Sequence, residues 1–167
     1  MVNVEHALIG EALVGEGPEV AHIDLVIEKK GGSVEQAFVT ALSLPARGYM
    51  PLLAVLTPNL PARPATLMVN KITIKTANQA LLIFGPAQAA VAKAVIDSVA
   101  EGIIPEVEAD GLLIIASVFI GWDAADRKKI YDWNYEATKT AIRRAMTGEP
   151  TMSEVLAQKD TAKHPFA

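Results

Sequence analysis

The 167-residue chain has no cysteine, which excludes disulfides, thiolate zinc sites and cysteine nucleophiles together. Its three histidines, His6, His22 and His164, are scattered without ligand spacing, so no metal centre is expected. No long hydrophobic run is present: Gly111 to Ile120 is about half of the ~20 residues a membrane span needs. Dense basic clusters are missing too. The formal net charge is −4, and the pairs Lys128-Lys129 and Arg143-Arg144 read as solvated helix faces, so nucleic acid is not an expected partner. The opening MVNVEHALIGEAL lacks a basic segment followed by an apolar one, so no secretion signal is expected. No G-x-S-x-G nucleophile motif occurs, and Gly10 to Gly17 fits neither a Rossmann fingerprint nor a P-loop.

What is present is 51 % hydrophobic and 20 % charged residues, the composition of an ordered globular chain. The length suits one domain over 1–167 with a real core. Mean hydropathy is positive, and the surplus apolar surface predicts a homo-oligomer.

Residues 4–13 and 20–28 read as strands joined by the turn-rich Val14 to Pro18. Ser33 with Gln36 forms a capping-box pattern for a helix over 34–44. Leu52 to Thr57 reads as a buried strand and Thr66 to Lys75 as another. Residues 77–84 fit strand or helix equally, Gly85-Pro86 is expected to break the chain, and an alanine-rich helix follows over about 87–101. Leu112 to Ile120 reads as a central strand, apolar on both faces. Asp123 is expected to cap a long helix that Gly148 stops. The tail from Glu149 holds one short possible helix. The interleaved order with hairpins predicts an α+β fold: a two-layer mixed β-sheet with helices mainly on one face.

On the strand around residue 22, Ala21, Ile23, Leu25 and Ile27 share an apolar face, whereas His22 and Asp24 share the other with Val20 and Val26. A histidine beside a carboxylate on an apolar wall costs desolvation energy unless something satisfies or uses it. Imidazole also suits proton transfer near neutrality. The plainer reading is a structural contact or two residues facing solvent. Lys71 and Thr73, two apart on a predicted strand, form a second polar pair: a point charge for an anionic group and a hydroxyl to bond it. Lys75 on the same side equally suits an ordinary exposed face. Gln88, near a helix start, carries an amide able to recognise a flat heterocycle, though surface glutamine is commoner. Trp122 and Trp133 read as core or interface residues.

Several blocks together resemble the formaldehyde-activating enzyme family. They are Gly10-Glu-Ala-Leu-Val-Gly15, Glu19-Val-Ala-His-Ile-Asp-Leu25, Leu52-Leu-Ala-Val55, Pro58-Asn-Leu-Pro61 and Thr66-Leu-Met68. Others are Phe84-Gly-Pro-Ala-Gln88, Ala100-Glu-Gly-Ile-Ile-Pro105, Asn134-Tyr-Glu-Ala-Thr-Lys139 and His164-Pro-Phe-Ala167. They run in order over essentially the whole chain. The resemblance implies a cytoplasmic homopentamer, a fold like the second domain of ribosomal protein S5, and ligand clefts between subunits. It implies a lyase of one-carbon metabolism, condensing formaldehyde with tetrahydromethanopterin to 5,10-methylenetetrahydromethanopterin and water. His22 matches the family's proton donor, and Asp24, Leu53, Lys71, Thr73 and Gln88 match its pterin-binding positions. The pterin is a co-substrate, and no metal or prosthetic group is implied. The chain departs from the family pattern at Gly121, where a histidine is expected, and in the loop Ser43 to Pro51 that leads into Leu53. The rival reading is a paralogue that binds or senses formaldehyde, a pterin or another small carbonyl compound without this chemistry.

Overall fold

The computed structural model describes residues 6–164; the expected strand start at residues 4–5 and the Pro-Phe-Ala end of the last resembling block lie outside them. The strands are β1 (Leu8–Val14), β2 (Ala21–Lys29), β3 (Leu52–Leu53), β4 (Val55–Thr57), β5 (Leu60–Pro61), β6 (Ala65–Asn70) and β7 (Leu112–Phe119). The helices are α1 (Ser33–Ser43), α2 (Ala77–Leu82), α3 (Gln88–Ala100), α4 (Glu106–Ala109), α5 (Arg127–Thr147) and α6 (Met152–Gln158).

Five strands form a mixed sheet in the order β1-β2-β7-β6-β3, with only β6 and β7 parallel. Strand periodicity divides it into two faces. On the inner face Ala12, Ile23, Val118 and Asn70 lie in one register row, and Gly10, Leu25, Ala116, Met68 and Leu52 in another. This face packs against α3 and α5 through Val91, Val95, Ile130, Ala137, Ala141 and Ile142, all fully buried. Each larger aliphatic side chain buried this way stabilises the fold by about 1.5–3 kcal/mol. On the opposite face, α1 covers one end, with Val34 and Phe38 against Leu67 and Leu113. Among the described residues, no helix covers the other end of that face, which carries His22 and Asp24. The predicted α+β class and the asymmetric helix placement therefore hold.

Several local expectations change. The N-cap of α1 is Gly32 rather than Ser33; the buried Glu28 carboxylate accepts the Val34 N–H at 2.6 Å, and Gly32 leaves room for it. Leu52 to Thr57 is not one buried strand. It splits at Ala54 into β3, on the sheet edge, and β4, which pairs with β5 in a separate hairpin whose turn holds Asn59 at φ 70°. Strand β6 stops at Asn70, whose amide donates to the carbonyls of Gly48 (2.8 Å) and Ile72, so residues 71–76 form a loop. Gly85-Pro86 does not break the chain: α2 continues into α3 through a π-type turn, Ile83–Ala87, with Pro86 inside it. The wider turn accommodates a residue that has no N–H to donate. The resulting 24-residue helix, Ala77–Ala100, is long and apolar enough to cross a membrane, which the residue runs did not suggest, yet 56 % of its most apolar 18-residue stretch is buried in the protein. Asp126, not Asp123, caps α5, accepting the N–H groups of Lys128 and Lys129 at 3.0 and 3.1 Å. Gly148, left-handed at φ 71°, ends α5 as expected.

The sheet and α5 approach closely at Gly10, where a Cβ would lie 1.9 Å from the Ala141 carbonyl oxygen. Gly10→Val should lower the unfolding free energy by about 2–3 kcal/mol through overpacking, measured as a reduced urea midpoint with an unchanged slope.

Candidate active site

Four register positions set the open end of the sheet. Leu13, His22 and Phe119 form one row, and the Lys71 N–H extends it by donating to the Val118 carbonyl at 2.8 Å. Glu11, Asp24, Ser117 and Val69 form the next. Because paired residues on adjacent strands point to the same face, four polar side chains from three segments converge. His22 Nε2 lies 3.0 Å from Glu11 Oε1 and 3.4 Å from Asp24 Oδ1. The second Asp24 oxygen pairs with Lys71 Nζ, and Arg144 Nη1 from α5 reaches round the edge strand to within 3.5 Å of Glu11 Oε2. Arg144 also donates to the Glu11 carbonyl at 2.7 Å, so it is not simply a solvated residue. Lys71 is the most buried of the central group, with 18 % of its side chain exposed against 35 % for His22.

Beside this row, Leu13, Val20, Phe119, Gly121 and the turn Gly15 to Gly17 line a mainly apolar cavity of about 430 Å³. Gly121 fits it closely: its N–H donates to the Pro18 carbonyl at 3.0 Å, and a Cβ there would lie 2.3 Å from that oxygen. A histidine at 121 therefore requires the turn before β2 to move. A larger cavity of about 550 Å³, lined by Arg63, Ile96, Glu106 and Asp110 among others, holds none of the candidate residues. Among the described residues, no group of three His, Asp or Glu side chains is arranged to hold a metal ion.

The structure brings together only part of the predicted set. His22 and Asp24 share the open face as expected. Lys71 and Thr73 do not share a strand face, because β6 ends before them; Lys71 turns back to Asp24, whereas the Thr73 hydroxyl donates to the Tyr49 hydroxyl at 3.0 Å. That contact joins the 71–76 loop to the 43–51 loop, as does the Ile74 N–H, which donates to the Gly48 carbonyl at 3.0 Å. Leu53 lies on the far edge strand, three strand spacings or about 14 Å from β2, and lines a separate cavity of about 270 Å³. Gln88 is buried rather than on the surface and donates to the Leu53 carbonyl at 3.3 Å. Trp133 packs on the core over Gly15, whereas Trp122 is half exposed with Lys75 Nζ 4.9 Å from its ring centre. Glu11 was missed by residue spacing; extending the predicted hairpin to its register would have set it opposite Asp24.

Fold and site together define a two-layer α+β domain with a histidine between carboxylates on one open sheet face, an arrangement suited to moving one proton. Residues 9–167 match the family described as formaldehyde-activating enzyme, and the chain belongs to that family. It is 63 % identical over 165 residues, 99 % of this chain and 93 % of the relative, to 5,6,7,8-tetrahydromethanopterin hydro-lyase of Methanosarcina barkeri. It is also 55 % identical over 157 residues to a bifunctional enzyme Fae/Hps of Methanococcoides burtonii, and 55 % over 158 residues to one of Archaeoglobus fulgidus. Those matches cover 94 % and 95 % of this chain but 40 % of each bifunctional relative.

The turn beside His22 is held by Glu19, whose Oε1 accepts the N–H groups of Ala125 (3.1 Å) and Asp126 (3.2 Å). These bonds, Ala125 first, hold the Glu19 carboxyl below its ordinary value of 4.5. The folded state therefore binds this proton more weakly than the unfolded chain does. The stability Glu19 supplies is complete above pH 4.5 and is lost as pH falls through the lower folded value. Glu19→Gln should be less stable than the parent at neutral pH, with the gap closing on acidification, as urea unfolding over a pH series will measure.

Proposed function

We propose that this chain is a tetrahydromethanopterin hydro-lyase, joining formaldehyde to tetrahydromethanopterin with loss of water, and that His22 is its general acid. The observation that carries this reading is the cluster of His22, Asp24 and Lys71 on an end of the sheet face that no helix of the described residues covers. The near full-length similarity to a hydro-lyase of that name supports it.

A pterin nitrogen adds to formaldehyde to give a carbinolamine, N–CH₂–OH. Its C–O bond breaks as the nitrogen lone pair forms the iminium, and the oxygen takes a proton from the His22 imidazolium and leaves as water. The second pterin nitrogen then attacks the iminium carbon, closing the methylene bridge, and its proton returns to the imidazole. The acid is regenerated and no electrons are exchanged. A positioned acid contributes about 10²–10⁴-fold. Holding both nitrogens near one carbon supplies the rest by converting encounters into intramolecular steps. Asp24 and Lys71 orient the polar pterin edge, while Leu13 and Phe119 limit water around the iminium.

The separation of Leu53 and Gln88 from His22 supports a second part of the proposal. The chain works as a homopentamer in which one copy brings its Leu53 edge to the His22 face of the next. Ile9, Leu13, Leu53 and Leu56 are exposed apolar side chains along the surfaces such contacts would cover.

Purified protein mixed with formaldehyde and tetrahydromethanopterin should form the methylene adduct faster than the uncatalysed mixture. His22→Ala should reduce the enhancement by about 10²-fold or more. Rates equal to the uncatalysed mixture would favour the binding or sensing paralogue; an unaffected His22→Ala variant would remove His22 from the mechanism. Native mass spectrometry should give five chains per particle, and a monomer would overturn the shared-cleft reading.

A further inference from the structure

Nothing in the family assignment accounts for Glu11, yet it makes the shortest approach to His22. A neutral imidazole carries one N–H and one lone pair, and the group facing each nitrogen selects which is which. Here two carboxylate oxygens face the same nitrogen: Glu11 Oε1 at 3.0 Å and Asp24 Oδ1 at 3.4 Å from Nε2. A lone pair on Nε2 would lie beside two anionic acceptors, whereas a proton there is attracted by both.

The carboxylates are themselves held from behind. Asp24 turns its other oxygen to Lys71, and Glu11 turns its other oxygen to Arg144, which also grips the Glu11 carbonyl. Two anions and two cations thus balance before His22 is counted. Among the described residues, β1 contributes Glu11 to these facing rows, β2 contributes Asp24, the loop after β6 contributes Lys71 and α5 contributes Arg144; the β7 members, Ser117 and Phe119, are uncharged. With charge balanced, the effect of the carboxylate pair on the ring is orientation.

We propose that Glu11 is a positioning residue for His22: with Asp24 it keeps a standing proton on Nε2, so that Nδ1 delivers the proton to the departing hydroxyl and takes one back. This assignment rests on the reading of His22 as the acid.

Nitrogen-15 spectra of histidine-labelled protein, with the His22 signals assigned against His22→Ala, test it without substrate. In the wild type, neutral His22 should carry its proton on Nε2, with Nδ1 bare. Glu11→Ala should shift the ring toward a mixture of tautomers. It should lower kcat by about tenfold or more, with KM for the pterin held within about twofold. Glu11→Gln, which keeps a carbonyl acceptor, should restore the Nε2-protonated form and most of kcat. A wild-type ring protonated on Nδ1 overturns the proposal whether or not any variant folds, as does a Glu11→Ala variant that keeps both tautomer and kcat. If the wild type shows the expected tautomer but does not accelerate the condensation, the clamp stands and the hydro-lyase reading fails.

Discussion

Strand β2 serves two environments at once, and the rest of the molecule depends on keeping them apart. Its odd-numbered residues from Ala21 to Ile27 are buried against α5 and its neighbours, while His22 and Asp24 face outward. A slip of one residue against β1 or β7 would drive an imidazole and a carboxylate into the helix-packed core and expose four apolar side chains. Burial therefore selects the register, and the register selects which residues meet on the open face. Gly10 reinforces this choice, since only a residue without a side chain lets β1 lie this close to Ala141 of α5.

The consequence is a site assembled by the sheet rather than by a loop. Glu11, His22 and Asp24 sit on paired strands whose backbones are fixed by ladder hydrogen bonds, and Lys71 is tied to the same sheet through the Val118 carbonyl. Along the line of side chains from Arg144 to Lys71, each carboxylate lies between a cation and the ring. Next to this polar row lies the apolar cavity of Leu13, Val20 and Phe119. The ionisable side chains and the apolar cavity thus share one surface, with Leu13 and Phe119 flanking His22 in its own row.

Much of this was legible in the residues because strand alternation is a local property. The two faces of β2, the central placing of β7 and the Gly148 stop follow from short-range patterns, and so does the α+β class. Other features were hidden by competing local signals. Pro86 reads as a break because a proline cannot continue an α-helical ladder, yet a π-type turn absorbs it. Thr66 to Lys75 alternates like one strand, but the Asn70 amide captures two carbonyls and turns the chain, so Lys71 and Thr73 part company. Gln88 looks like a surface residue from its place near a helix start; its burial depends on a distant edge strand.

By itself, the sequence determined that a histidine and an aspartate share one face of an otherwise apolar strand, because a period of two admits no other outcome. The resembling blocks pointed to the formaldehyde-activating enzyme family, which the match over residues 9–167 shows. Only the tertiary structure decided what meets the imidazole. Hairpin register brings Glu11 to His22, and helix packing brings Arg144, 133 residues away in the chain, to Glu11. Tertiary structure also separated Leu53 and Gln88 from that group, because strand order, unlike strand periodicity, is set by which faces the whole chain can bury.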